Sequence, residues 1–347
     1  LIEKQAKIII LSHIGRPKGK IVEGMSLEPI SKKLSSLLNK DVLFNKKIIN
    51  DNTLQEVNKI QNGSIMMLEN IRFNQGEESN DSQFSKKLSN LGDIYVNDAF
   101  SCSHRSHASV EGITKYIPSY FGLQISQEIE VLKKITSEIK KPVTLIIGGS
   151  KISTKINIIN NLVKKFNNII IVGGMANTML KHTGSKVGKS ICENDCESLI
   201  KEILNISRKF NCKITCPIDV VVSKNIEGQG KNKDIKEIND DEMILDIGPK
   251  TISLIKKIIN DSNTVLWNGP AGYFENPSFQ TGTKEILEII SQKTINDKIF
   301  SVAGGGETVA AINKFKKIDS FTFVSTAGGA FLEYLEGKTL PGIKALN

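Results

Sequence analysis

Apolar runs of strand length alternate along the chain with segments whose apolar residues recur every three or four positions. The runs are KIIIL, SIMMLE, DIYVN, VTLIIGG, NIIIVGG, TVLWNG, IFSVAGGG and FTFVS. Between them, segments such as SLEPISKKLSSLLN and KISTKINIINNLVKKF carry the helical period. This alternation predicts βαβ units, hence an α/β fold of parallel sheets covered by helices on both faces. In such sheets ligands gather beyond the carboxyl ends of the strands, so the chemistry is sought there. The stretch QISQEIEVLKKITSEIKKP, Gln124 to Pro142, is helical in period, is interrupted by no strand and ends at a proline. It reads as a connector between domains, although periodicity alone suits a surface helix as well.

At 347 residues the chain is long enough for two cores of about 150 residues each. Hydrophobic residues make up 39%, and no apolar run approaches the roughly 18 residues that a membrane span needs, so a soluble protein with no membrane partner is expected. The net charge of +9 raises the question of nucleic acid, but Lys, Asn and Ile are abundant throughout and aromatic content is only 6%. No nucleic-acid partner is expected; the charge suits anionic small molecules. Among the five cysteines, Cys192 with Cys196 and Cys212 with Cys216 form C-x3-C pairs rather than the C-x2-C of zinc ribbons. In CKITC the cysteines alternate with Ile214 along one strand face, so buried reduced thiols and a cytoplasmic location are expected. With no signal peptide and no initiator methionine, the chain reads as truncated at its start.

Candidate chemistry in the first half is cationic. SHIGRPKG carries His13, Ile14, Gly15 and Arg16, LENIRF carries Arg72, and NDAFSCSHRSHAS carries His104 and Arg105, each just after a predicted strand. Several potentially cationic groups at successive strand ends suit a ligand with both a phosphate and a carboxylate, which guanidinium forks bind in pairs. Gly15 would let the backbone approach that ligand.

In the second half the strand ends are rich in glycine. LIIGGSKISTK runs from strand to helix with Lys151 and Lys155 four apart, which predicts two ammonium groups on one helix face beside a polyphosphate. Gly173 and Gly174 in IIIVGGMANTML offer bare backbone for a flat base. VLWNGPAGYFE holds Asn268, Gly272 and Glu275, the last a candidate for ribose hydroxyls. SVAGGGETVAA offers Gly305 and Gly306, then Glu307 for a metal and Thr308 at a helix start. Several such turns together predict a nucleotide crevice. GSKVGKS, Gly184 to Ser190, is one residue short of a P-loop, and no G-x-G-x-x-G occurs.

Taken in order, SHIGRPKG, LENIRF, NDAFSCSHRSHAS, GGSKISTK, WNGPAGYFE and AGGGET resemble the phosphoglycerate kinase family over essentially the whole chain. The resemblance implies two Rossmann-like parallel-sheet domains joined by a long helix: residues 1–123 for phosphoglycerate, a helix over 124–141, residues 142–331 for nucleotide, and a tail over 332–347 returning to the first domain. It implies reversible transfer of the acyl phosphate of 1,3-bisphosphoglycerate to MgADP, giving 3-phosphoglycerate and MgATP, in a cytoplasmic monomer whose domains close over the substrates. His13, Ile14, Gly15, Arg16, Arg72 and Arg105 would hold the phosphoglycerate with His104 nearby. Lys155, Gly173, Gly174, Asn268, Gly272, Glu275, Gly305, Gly306, Glu307 and Thr308 would bind nucleotide, with Glu307 also on Mg2+. Lys151 would follow the transferring phosphoryl group, with Arg16, Arg72 and Arg105 as its catalytic partners. The sequence departs from the family pattern in three ways. An Asp-x-Asn strand and an early arginine do not precede Leu1, which predicts a sheet lacking an interior strand and low activity. Glu307 stands where the family has aspartate, and Ala327 where it has glycine. A catalytically silent nucleotide-binding fragment is the alternative expectation.

Overall fold

The computed structural model describes residues 1–347 and divides into two compact units, Leu1–Ser126 with Thr339–Asn347, and Gln127–Lys338. In the first unit KIIIL becomes β1 (Ile8–Ile10), followed by α1 (Glu28–Leu38), β2 (Val42–Asn45), α2 (Asp51–Lys59) and β3 (Ile65–Leu68). Strand β3 pairs in parallel with both others, giving the order β1-β3-β2. All of its residues, IMML, are buried, as expected of a central strand covered on both faces. Two short helices, α3 (Gln75–Glu78) and α4 (Ser82–Ser89), lead to β4 (Tyr95–Asn97), which pairs in parallel with β5 (Ser119–Phe121) as a separate sheet. Met66, Leu68, Ile71, Phe84, Leu88 and Ile113 lie in the core of this unit. Polar caps set its helix starts: Asn50 and Thr53 form a capping box on α2, and Asp81 accepts from the Phe84 amide on α4.

The helix expected over 124–141 is shorter; α5 runs from Leu123 to Thr136. Its start is fixed by Asp98 Oδ1, which accepts from the amides of Gln124 and Ile125. At its end the Ser137 and Glu138 amides both donate to the Lys133 carbonyl, and the Thr136 and Ser137 hydroxyls donate to carbonyls four residues back. These local bonds compete with helix continuation, so α5 stops well before Pro142. The boundary between the units falls inside this helix, after Ser126.

The second unit begins with β6 (Val143–Ile147), α6 (Ile156–Leu162), β7 (Asn168–Ile171), α7 (Gly173–His182), α8 (Glu197–Lys209) and β8 (Lys213–Thr215). An excursion of β9 (Asp219–Ser223), β10 (Lys231–Asp234) and β11 (Met243–Ile247) forms a small antiparallel sheet of order β10-β9-β11, where only parallel sheets were expected. The chain continues through α9 (Pro249–Asn260), β12 (Thr264–Asn268), α10 (Thr281–Ile295), β13 (Phe300–Gly304), α11 (Gly306–Lys314), β14 (Phe323–Ser325) and α12 (Gly329–Leu335). The terminal α13 (Pro341–Lys344) belongs to the first unit, where the Gly342 amide donates to the Ser103 carbonyl at 2.9 Å.

Six parallel strands build the main sheet of the second unit, in the order β14-β13-β12-β6-β7-β8. Trp267, Ile146 and Val265 on its strands pack with Ile255, Ile286 and Ile290 from α9 and α10. From β6 the chain winds outward through β7 and β8, then returns to wind the other way through β12, β13 and β14. The order therefore reverses between β6 and β12, and crevices form beyond the strand ends at such a reversal. The expectation of buried thiols holds in part. Cys196 and Cys212 are buried, whereas Cys102, Cys192 and Cys216 are half-buried; all five are free. Cys216 follows β8, the edge strand, where cover is incomplete.

Candidate functional site

In the first unit the loop after β1 delivers His13 and Gly15, and the turn after β3 delivers Arg72. Gly15 has φ +66°, a backbone conformation that favours glycine; a Cβ there would also meet the flexible end of Met25 at 2.7 Å, which could move aside. The Arg72 side chain is 5% exposed; its Nη1 donates to the Gly15 carbonyl at 2.7 Å and its Nε faces Glu78 at 3.5 Å. Burial, then the Arg105 guanidinium, lowers the Arg72 pKa against the pull of Glu78. Burial also lowers the His13 pKa, with Arg72, Arg105 and His107 acting the same way and Glu77 opposing them. His13, Arg72, Arg105 and His107 thus form one cluster close enough to act on one another, in which the two guanidinium groups carry the positive charge and His13 is held toward its neutral form. His104 is half-buried beside Arg105. Ile14 and Arg16 are exposed beyond the cluster, and Arg16 makes no ion pair.

Several residues of this crevice have no individual signal in the sequence. His107, nine-tenths buried, lies in the same SHRSHAS motif as His104, and its neighbourhood could have flagged it. Asn70 is fully buried: its Nδ2 donates to the carbonyls of Ile14 and Met25 at 2.8 and 2.9 Å, while its Oδ1 accepts from the Arg72 amide. One side chain therefore sets the His13 loop against the Arg72 turn. Glu69 accepts from Ser26 Oγ and the Leu27 amide, holding the next stretch of that loop.

In the second unit the predicted glycine turns meet at the reversal point. Lys155 Nζ, on the segment after β6, lies 2.5 Å from Asn268 Oδ1 at the end of β12, and Asn268 Nδ2 donates to the Gly304 carbonyl at 2.7 Å. The Gly269 amide donates to Thr308 Oγ1 at 2.7 Å. Gly305 has φ +97°, and a Cβ on it would lie 2.5 Å from Asn268 Nδ2. Gly173 and Gly174 pack against the backbone of Gly149 and Ser150, whereas nothing fills the space beside Gly306. Gly272 packs against Asp246 and the Leu245 carbonyl, which explains a glycine there by close contact alone. Glu275 and Glu307 are exposed. Burial lowers the Lys155 pKa, and the charges of Glu307 and Glu336 oppose it.

Lys151 and Lys155 do not share a helix face. Helix α6 starts only at Ile156, and Lys155 is its N-cap residue. Glu193 accounts for the delay: its Oε2 accepts from the Ser153 amide at 2.9 Å and its Oε1 from Ser153 Oγ at 2.5 Å, which captures the segment as a turn. Lys151 consequently remains exposed while Lys155 reaches inward to Asn268. Ala327 keeps a negative φ, because the next residue, Gly328, takes φ +54°; the alanine is accommodated without strain.

The guanidinium groups gathered in one unit and the glycine turns at a topological reversal in the other come from the motifs that resemble the family. The family model described as phosphoglycerate kinase matches residues 1–338. The chain belongs to the phosphoglycerate kinase family. It is 45% identical over 348 aligned residues to the phosphoglycerate kinase of Chelativorans sp., covering 100% of this chain and 87% of the relative, and equally identical to that of Rhizobium meliloti. Among solved structures, phosphoglycerate kinase from Coxiella burnetii is similar with a TM-score of 0.91 and 38% identity, over 99% of this chain and 87% of that one. The enzyme from Pyrococcus horikoshii is similar with a TM-score of 0.83 and 29% identity, over 100% and 87%. As a member of this family, the protein is a phosphotransferase of glycolysis.

Proposed function

We propose that the two crevices divide the substrates of the phosphoglycerate kinase reaction between the units. The cationic cluster of the first unit takes 3-phosphoglycerate or 1,3-bisphosphoglycerate, and the glycine turns of the second take ADP or ATP. The observation that carries this reading is the Lys155–Asn268 contact across the strand reversal, with the Gly304–Thr308 turn bonded to the same asparagine and to Gly269. A half-buried lysine among bare backbone amides suits a polyphosphate. Arg72, Arg105, His13 and the more exposed Arg16 suit a small polyanion bearing a phosphate and a carboxylate, with His104 close by.

The chemistry needs no covalent enzyme intermediate. A carboxylate oxygen of 3-phosphoglycerate attacks the γ-phosphorus of ATP, the bond to the β–γ bridging oxygen breaks, and ADP leaves; the reverse step makes ATP. The protein must align the reactants and offset the charge on the phosphoryl oxygens. Lys151, exposed and untethered, can follow the moving phosphoryl group, while Lys155 stays with the nucleotide. Glu307 is exposed at the start of α11 near Lys155 and is held by no ion pair, so its carboxylate fits Mg2+, which binds one or two carboxylates together with phosphates. The cation supplies further charge neutralisation when bound. Five free cysteines suit a reducing cytoplasm.

Calorimetric titration of single variants tests the division. Lys155→Met should weaken MgADP binding tenfold or more, the size of a lost charge-assisted hydrogen bond of about 1.5–3 kcal/mol, and leave 3-phosphoglycerate binding intact. Arg105→Ala should do the reverse. If either variant weakened both ligands equally, the division would be wrong.

A further inference from the structure

Glu77, on α3, is 2% exposed, and the contacts of its carboxylate go to one short segment of the first unit. Its Oε1 accepts from Ser109 Oγ at 2.6 Å and its Oε2 from the Ser109 amide at 3.0 Å. The same Oε1 lies 3.6 Å from His107 Nδ1, and the Glu77 carbonyl accepts from the Ala108 amide at 2.9 Å. Three consecutive residues, His107 to Ser109, are therefore tied to a single residue. Beyond them, the His107 carbonyl accepts the amides of Val110, Glu111 and Gly112, closing a tight turn. Arg105 sits two residues before this clamp, and Arg72 precedes α3 on the other side. The buried charge of Glu77 also acts on His13 and Arg72, opposing the lowering of each pKa by burial and by neighbouring cations.

We infer that Glu77 is a positioning residue for phosphoglycerate binding, resting on the reading above that the cationic cluster is the site for that substrate. With both oxygens engaged and almost no exposed surface, Glu77 does not meet the ligand. It fixes the loop bearing Arg105 and His107 against the segment bearing Arg72, and it offsets repulsion among cations that must stay close before an anion arrives. Removing it lets that loop drift, and displacements of about an ångström can cost up to a hundredfold in a positioned site. The loss falls on one substrate, because none of these contacts reaches the nucleotide crevice.

Steady-state kinetics on the full chain test this, with both substrates varied and thermal unfolding measured in parallel. Glu77→Gln keeps an acceptor for Ser109 and removes the charge beside His107; it should raise KM for 3-phosphoglycerate by roughly tenfold. Under the same conditions KM for MgATP and kcat should stay within about twofold. Ser109→Ala, which keeps the carboxylate and removes one of its donors, should raise the same KM by a smaller factor and carries the test if Glu77→Gln does not fold. An unchanged KM for 3-phosphoglycerate, equal rises in both KM values, or a fall in kcat alone would overturn the inference, since loss of folded protein lowers kcat without a selective KM change. Arg105→Ala separates the two levels. If it raises KM for 3-phosphoglycerate while Glu77→Gln does not, positioning by Glu77 fails and the site stands; if it leaves that KM unchanged, the site reading fails and the inference falls with it.

Discussion

Glu128 shows at the scale of one residue what burial does to a carboxyl group. It is 2% exposed on α5, its Oε1 is 3.3 Å from Ser325 Oγ, and its Oε2 has no hydrogen-bond partner. Burial pushes its pKa up from 4.5 to about 7, against a small opposing effect of Ser325. Because the folded value lies above the unfolded one, the native state binds the extra proton between them. The stability this contributes is fully present below about pH 4.5 and is lost as pH rises through 7. Glu128→Gln places an amide where the unpartnered oxygen lies and should flatten the pH dependence of unfolding free energy between those limits, measured by urea denaturation at several pH values. An unchanged slope would assign the pH dependence elsewhere. Legibility at this scale follows sequence distance. Arg72, Arg105, Lys155 and Asn268 stand in compact motifs and were readable as candidates for the site; Glu77 and Glu193 act on partners 32 and 40 residues away, and no local pattern announces such a contact.

Elements were legible where a strand is central and apolar, and illegible where it is short, polar or at an edge. Every apolar run named above contains a strand, whereas β10, with the sequence KNKD, and β5, with SYF, carry no alternation to detect. Helix ends were the weak point, because side chains decide them. Glu193 delays α6, Thr136 and Ser137 end α5, and Asp219 starts α9. In that last case Asp219 Oδ1 accepts from the Thr251 amide at 2.7 Å and Oδ2 from the Lys250 amide at 2.9 Å, while the Thr251 hydroxyl bonds the same carboxylate. Asp219→Ala leaves the buried Thr251 amide without its partner, while the Lys250 amide can turn to solvent and the Thr251 hydroxyl keeps the Asp219 carbonyl, so it should cost about 1–2 kcal/mol of unfolding free energy. Chemical denaturation measures that loss; a change below about 0.5 kcal/mol would mean that water or the Gly248 region replaces the cap.

For the whole molecule, the α/β alternation made the fold class readable, and the motif order made the family readable. Strand order was not readable, because nothing in a run of isoleucines states its neighbour. Yet the order is what brings the candidate nucleotide residues together: the reversal between β6 and β12 brings Lys155 to Asn268, residues separated by 113 positions. Two candidate sites of different character, one rich in guanidinium groups and one in bare backbone, suit the proposed phosphoryl transfer between a nucleotide and a small polyanion. The decisive measurement is 3-phosphoglycerate-dependent consumption of MgATP by the chain of 347 residues, with the 1,3-bisphosphoglycerate product drawn off by a coupled reduction. Turnover that requires 3-phosphoglycerate, ATP and Mg2+ together, and that falls steeply in both Arg105→Ala and Lys155→Met, is the predicted result. ATP consumption independent of 3-phosphoglycerate, or no turnover despite retained MgADP binding, would contradict it.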